Sequence, residues 1–265
     1  MAYVYRSKGS YPPKNQKIIE HTYKAKSGLD AIVPINPEWE NMGVQISGGM
    51  DSALLLYLVA KTVKDNNYTI NVRPIHFDIP TKLPVQPLAI IKKVEELLDF
   101  KFGDIIEYAI PLEQCTKEAT MSGVGKKEFI ILKIREMLMS KVVNFEVNGN
   151  TKNPPVEFRK HFPNDEFRQK NRDRTLDIYT GPYNASPLSH LDKADVVSLY
   201  KKYNLIDELM TLTCSCDNWR DQIIAKKLDI PCGQCWWCYE RAYGLSQNNI
   251  QDPTPVKKFE DENSK

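Results

Sequence analysis

Long apolar runs are missing from this sequence. The longest, Ala53 to Ala60, is far short of the roughly 20 residues that a bilayer-spanning helix needs. The opening MAYVYRSKGSYPP has no basic segment followed by an apolar one, so no secretory signal is expected. Net charge is also scarce. The 36 basic and 34 acidic side chains leave +2, too little for a global field that gathers nucleic acid or membrane, and any such partner needs a local patch. Neither an internal repeat nor a low-complexity tract is present. These absences predict a soluble, cytoplasmic protein with no membrane partner. At 265 residues and 42% hydrophobic, the chain can bury a substantial core, as one domain with a small appendage or as two modest ones.

Cysteines are few, and their placement is uneven. Cys115 stands alone and reads as a small buried hydrophobe. Cys216, Cys232, Cys235 and Cys238 crowd together, with Cys214 beside them. In a reducing compartment such crowding marks a metal site rather than disulfides. Four thiolates on one Zn2+ close a tetrahedral site and fix a segment too small to have its own core. Four thiolates also suit an iron–sulfur cluster, and Cys214 competes with Cys216 for the first position.

The order of elements is regular from Gly43 to Val147. Strands are expected at Val44–Ile46, Thr69–Phe77, Asp104–Ile110 and Val143–Val147, and helices at Asp51–Lys64, Val85–Leu98 and Lys126–Val142. This alternation predicts an α/β fold: an open parallel sheet with helices on both faces. Residues 1–38 read as an arm or weak hairpin, and residues 151–187, rich in Pro, Asn and charge, as a loop or insertion. Helices are expected at Lys193–Tyr203, begun near Asp192, and at Ile206–Leu212.

The first strand and helix enclose Ser47-Gly48-Gly49-Met50-Asp51-Ser52. Beyond the carboxyl end of a parallel strand, where a helix begins, unpaired N–H groups face outward and suit an anion. Gly48 and Gly49 allow backbone angles closed to other residues, and Ser47 and Ser52 add hydroxyl donors. Asp51 fits beside phosphate as a helix cap or as a holder of Mg2+. A Walker loop requires a lysine after its second glycine, where Met50 and Asp51 stand here, so an ordinary P-loop kinase or GTPase is excluded.

The same string resembles the SGGxDS signature of the PP-loop ATP pyrophosphatase superfamily. That resemblance implies ATP on this turn, transfer of AMP to a substrate oxygen and release of pyrophosphate. It sharpens downstream. Ser186-Pro187-Leu188 through Leu191-Asp192-Lys193-Ala194, then Leu212-Thr213-Cys214-Ser215-Cys216, then Cys232-Gly233-Gln234-Cys235 and Cys238 with Arg241, is similar to the pattern of the 7-cyano-7-deazaguanine synthase (QueC) family. The family's T-x-S-C phrase falls on Thr213, Ser215 and Cys216 and selects Cys216, whereas members reading L-T-C would select Cys214.

The resemblance implies an ATP-dependent C–N ligase of the queuosine pathway, with ATP, Mg2+ and Zn2+ as cofactors. The carboxylate of 7-carboxy-7-deazaguanine is adenylated, ammonia gives the amide, and a second adenylation dehydrates it to the nitrile. Asp51 and Lys193 are the implied catalytic residues. Ser47, Gly48, Gly49, Met50, Asp51 and Ser52 are the implied nucleotide-binding residues. By position alone, His76 at the end of the second strand is a candidate to approach the adenine or a structural histidine, and Asn148, Gly149 and Asn150, ending a strand, are a candidate substrate or nucleotide site or a plain polar turn. The implied division is an arm at 1–38, the ATP-binding domain at 39–187, a helical segment with the four-cysteine zinc site at 188–247 and a polar tail at 248–265. A homodimer accords with the family.

This chain also departs from that family. His76-Phe77-Asp78-Ile79-Pro80 replaces the expected tyrosine, glycine, glutamine, basic residue and histidine. Asn150 to Phe158 (NTKNPPVEF) replaces most of a Y-P-D-C-R phrase. The nucleotide and metal parts are retained while the deazapurine pocket is rewritten. Two alternatives follow: adenylation of another acceptor such as a modified nucleobase or tRNA, or nucleotide binding with a zinc knuckle that touches nucleic acid. Trp236 and Trp237 lie in that knuckle, as packing or as a stacking surface. The stretch holding Arg159, Lys160, Arg168, Lys170, Arg172 and Arg174 reads as a solvated loop before an RNA strip.

Overall fold

The structure is a computed structural model that describes residues 17–79, 87–116, 119, 122–160, 162, 178–216, 231, 233 and 235–253. Cys232 and the basic positions Arg168, Lys170, Arg172 and Arg174 lie outside them.

The chain's early residues form a hairpin of β1 (Ile19–Lys24) and β2 (Asp30–Ile35), with Ile19 opposite Ile35 and Lys24 opposite Asp30. Alternation along β2 sends Ala31, Val33 and Ile35 inward, and all three are fully buried in the main core. The Ile32 amide donates to the Pro187 carbonyl at 3.0 Å, so the hairpin is a docked wall of the fold.

The central sheet has six strands in the order β5-β4-β3-β6-β8-β7. These are β3 (Asn41–Gln45), β4 (Asn71–Asp78), β5 (Ile106–Ala109), β6 (Phe145–Val147), β7 (Tyr179–Gly181) and β8 (Asn184–Ala185). All neighbouring pairs are parallel except β7 against β8 at the edge. The register sets Val44 beside Pro74 and Val147, and Gln45 beside Ile75.

Helices cover both faces. On one, α1 (Met50–Asp65) and α2 (Pro87–Leu98) pack with Val44, Val72, Phe145 and Val147. On the other, Ile134 and Met137 of α3 (Lys126–Met139) pack with Ile75, Phe77 and Val143, and Cys115 joins this cluster. The expected apolar stripe of α1, Leu54, Leu55, Leu58 and Val59, is fully buried, but so are Leu56 and Ala60 off that stripe. The helix is enclosed by the sheet, β2, α2 and α4 (Lys193–Lys202), which explains apolar residues all round it.

Two expectations are corrected. The helix expected at Ile206–Leu212 is a run of turns ending in one 3-10 turn, Met210–Leu212. The stretch 151–187 holds a strand pair as well as loops: β8 continues the sheet beside β6, and β7 turns back along its edge. Strands of two and three residues are too short to show alternation. Among the described residues no helix is long and apolar enough to cross a membrane.

Asp192 starts α4 as expected: its carboxylate accepts from the amides of Ala194 (2.8 Å) and Asp195 (3.1 Å) and from the Tyr243 hydroxyl at 3.2 Å. Tyr243 lies on α5 (Trp236–Ser246), so one cap holds two helices together. Asp192→Ala should lower unfolding free energy by about 1–2 kcal/mol in urea titrations. Asp192→Asn, which still accepts from the helix amides, should retain most of it.

Candidate functional site

The β3 strand ends at Gln45, and α1 starts at Met50, leaving a four-residue turn at the carboxyl edge of the sheet. Gly48 there takes φ +77°, a left-handed backbone that any side chain would strain. Hydroxyls meet the amides of the turn: Ser47 N donates to Ser52 Oγ (3.1 Å), Gly49 N to Ser47 Oγ (3.4 Å) and Met50 N to Ser215 Oγ (3.3 Å). Three hydroxyls therefore occupy acceptor positions that phosphate oxygens can take over. Gly49 at the N-cap makes no side-chain cap bond, and the positive end of the α1 dipole faces this turn.

Asp51 stands in the first turn of α1, and the Lys193 ammonium donates to its Oδ2, although 142 residues separate them. Lys193 is 2% exposed, and Asp51 keeps a buried Oδ1 with no hydrogen-bond partner among the described residues. The second carboxylate near Lys193 is Glu240 of α5, with Oε2 3.8 Å from Nζ. Glu240 is fully buried, and neither of its oxygens has a hydrogen-bond partner among the described residues. Tyr200 of α4 donates to the Met50 carbonyl at 2.7 Å, tying that helix to the turn. Burial, with Asp51 adding to it, pushes the Tyr200 phenol up, so it remains a neutral donor.

His76, near the end of β4, is buried, and its Nδ1 lies 2.9 Å from the Ile46 carbonyl. A carbonyl only accepts, so Nδ1 carries the proton and the ring braces the strand end just before the turn.

Asn148, Gly149 and Asn150 follow β6. Asn148 Oδ1 accepts from Ser186 Oγ (2.7 Å), Asn150 Nδ2 (2.6 Å) and Asn150 N (3.3 Å). Gly149 presses on the start of α1: a Cβ there would lie 2.9 Å from Ser52 N, so only glycine lets the two segments meet. Beneath them Glu146 is 1% exposed in mid-sheet, accepting from Gln45 Nε2 at 2.6 Å. Burial pushes its carboxyl up to about 8, while hydrogen bonds from Gln45 and Asn148 pull the other way.

Cys216, Cys235 and Cys238 bring their Sγ atoms within 4.8 Å of one another. Two sulfur–sulfur distances are 4.0 Å (Cys235 to Cys216) and 3.5 Å (Cys235 to Cys238). Thiolates sharing one tetrahedral zinc at about 2.3 Å stand about 3.8 Å apart, so the donor set fits a single ion. Cys214 is not in this group: its amide donates to the Gly48 carbonyl at 2.9 Å. The cysteine cluster is thus wired to the turn along two routes, through residues 214–216 and through α5.

The structure brings Ser47 to Ser52, Asp51, Lys193 and Asn148 to Asn150 to one end of the sheet, with His76 behind it. It adds Ser215, Glu240, Tyr200 and Glu146. The first stands in the quoted family phrase, but only the fold shows its hydroxyl on Met50. Glu240 carries a signal in its neighbours alone, between Cys238 and Arg241. Arg241 clamps Thr213 Oγ1 at 2.9 Å and Asp252 at 2.9 and 3.0 Å, and Trp236 packs edge-on to Phe162. A groove of ≈ 730 Å³ lined by Trp39, Ile134, Val143 and Tyr183 lies at the opposite, amino-terminal ends of β6 and β8, away from these polar groups.

No protein-family profile matches the chain, and no curated protein matches it. Among solved structures it is similar to the U34-tRNA thiolase NcsA from Methanococcus maripaludis with its [4Fe-4S] cluster, at a TM-score of 0.40 and 15% identity over 80% of this chain and 73% of that one. It is also similar to NAD+ synthetase from Burkholderia pseudomallei, at 0.36 and 12%, over 65% of this chain and 62% of that one.

Between the ordinary carboxylate value of 4.5 and the folded value of about 8, folded Glu146 keeps a proton that the unfolded chain has released. Its contribution therefore makes stability fall as pH rises through that window, by up to about 1.4 kcal/mol per unit, and level off above it. Glu146→Gln, neutral throughout, should flatten that slope in urea unfolding measured across the same window. An unchanged slope would assign the pH dependence elsewhere.

Proposed function

We propose that the chain is an ATP-dependent adenylating enzyme that activates an acceptor oxygen with AMP and releases pyrophosphate. The observation that carries this reading is the meeting of Asp51 and Lys193 beside the glycine turn, at the carboxyl edge of a parallel sheet. The turn's amides and hydroxyls would hold the triphosphate, and the buried Asp51 Oδ1, without a partner among the described residues, suits a Mg2+ ion travelling with it. When bound, that ion supplies charge neutralisation for two anions brought together.

The acceptor we infer is a carboxylate on a 7-deazapurine, 7-carboxy-7-deazaguanine, a reading supported by the sequence resemblance. Its carboxylate oxygen attacks the α-phosphorus of ATP and pyrophosphate leaves. Ammonia then adds to the acyl carbon, and AMP leaves with the original oxygen, giving the amide. The amide oxygen then attacks the α-phosphorus of a second ATP, pyrophosphate leaves and the nitrogen loses one proton, and departure of AMP with that oxygen and loss of the remaining N–H proton give the nitrile. The Asn148–Asn150 segment is a fitting holder for the heterocycle, because Gly149 packs on Asp51 and Ser52. Lys193 offsets negative charge that develops on the phosphoryl group.

Cys216, Cys235 and Cys238 would hold Zn2+, with Cys232 as the fourth ligand in this reading; the close sulfurs favour one ion over a cluster whose thiolates bind separate irons. Held by these thiolates, such an ion would act structurally, fixing the segment that carries Ser215 and α5.

Pyrophosphate and AMP release should depend on 7-carboxy-7-deazaguanine and ammonium, with a nitrile product by mass spectrometry. AMP formed only with tRNA or another acid would replace the acceptor, and nucleic-acid binding without AMP would overturn the enzyme reading. Asp51→Ala should reduce pyrophosphate release by about 100-fold or more while the circular dichroism spectrum is kept. Cys235→Ser should lower bound zinc and melting temperature together, and unchanged metal content would refute the thiolate site.

A further inference from the structure

Glu240 is a fully buried carboxylate on α5 whose two oxygens lack hydrogen-bond partners among the described residues. Such a group is costly to the fold unless a positive charge compensates it. Among the described residues, the cation within reach is Lys193, at 3.8 Å, and that ammonium is committed to Asp51. Two carboxylates therefore share one buried ammonium unequally, Asp51 holding it closely and Glu240 waiting beyond hydrogen-bond distance. Asp51 is the partner with exposure, 21% for its side chain against 1% for Glu240. A cation arriving with a nucleotide can therefore reach Asp51 and not Glu240.

We propose that Glu240 is a positioning residue that takes over Lys193 when Asp51 turns to the nucleotide's metal ion. The proposal rests on the nucleotide reading above. In the free protein, Asp51 and Lys193 neutralise each other. Mg·ATP draws the Asp51 carboxylate away, and without a second anion Lys193 would be left as an unpaired charge in a dry site. Glu240 closes on it and keeps the ammonium charged and aimed at the turn. Its backbone supports this: Gly244, one helical turn on, lets α5 sit against Lys193, where a Cβ would lie 2.5 Å from the Lys193 carbonyl oxygen. The helix holding Glu240 is thus fixed against the helix holding Lys193.

Glu240→Gln preserves size and removes charge. It should reduce kcat for pyrophosphate release by about tenfold or more, leave KM for ATP within about threefold, and leave zinc content unchanged. Melting temperature should hold or rise, because an uncompensated carboxylate is gone, which is opposite to the loss expected of a purely structural residue. Glu240→Asp should restore part of kcat. A structure with Mg2+ and a non-hydrolysable ATP analogue should show Lys193 Nζ moved from Asp51 to within hydrogen-bond distance of Glu240. Full kcat in Glu240→Gln, or Lys193 still on Asp51 in that complex, would overturn the proposal while leaving the nucleotide reading intact. Failure of the wild-type chain to bind Mg·ATP by calorimetry would sink both.

Discussion

A buried ammonium cannot stand alone, and the fold is arranged around that constraint. Lys193 sits at the first position of α4 with 2% exposure, so anionic partners have to be brought to it from elsewhere. Asp51 comes from α1 and Glu240 from α5, three helices meeting where the sheet's strands end. The contacts among these helices are consistent with this need: Tyr200 anchors α4 to the Met50 carbonyl, and Tyr243 anchors α5 to the cap of α4. Moving any one helix leaves a charge without its counterpart in a poorly solvated place.

The cysteine cluster extends the same arrangement. Cys216 follows Ser215, whose hydroxyl takes the Met50 amide, and Cys235 and Cys238 sit at the start of the helix that carries Glu240. The three clustered cysteines are thus two steps from the hydroxyls and amides of the glycine turn. An ion held on these thiolates would give fixed geometry to a small segment without much apolar mass, and the short polar contacts would pass that geometry to the turn.

Much of this is legible in the sequence. The β3–turn–α1 unit, the alternation up to β6 and the Asp192 cap follow from glycine placement, periodicity and capping chemistry, which act over a few residues. The Lys193 assignment comes from resemblance, and its meeting with Asp51 is a matter of tertiary packing. What escapes has no local signature: β7 and β8 are too short for alternation, and Ile206–Leu212 has helical spacing but is held in turns by the bonds from Leu209 and Met210 to the Leu205 carbonyl. Glu146 and Glu240 read as ordinary acids in the sequence, and only the sheet and the helix contacts show them buried.

Ser215 and Glu240 also leave the ribosome after the glycine turn, Asn148–Asn150, Lys193 and Tyr200. The hairpin, β3 to β6 and α1 can assemble earlier, yet until residue 215 and α5 arrive the glycine turn lacks one of its hydroxyls and Lys193 lacks its second anion. A nascent chain that stalls before that point would present a finished sheet whose rim lacks Ser215 and Glu240, so the order of synthesis leaves the docking of α5 as the step that completes this end of the molecule.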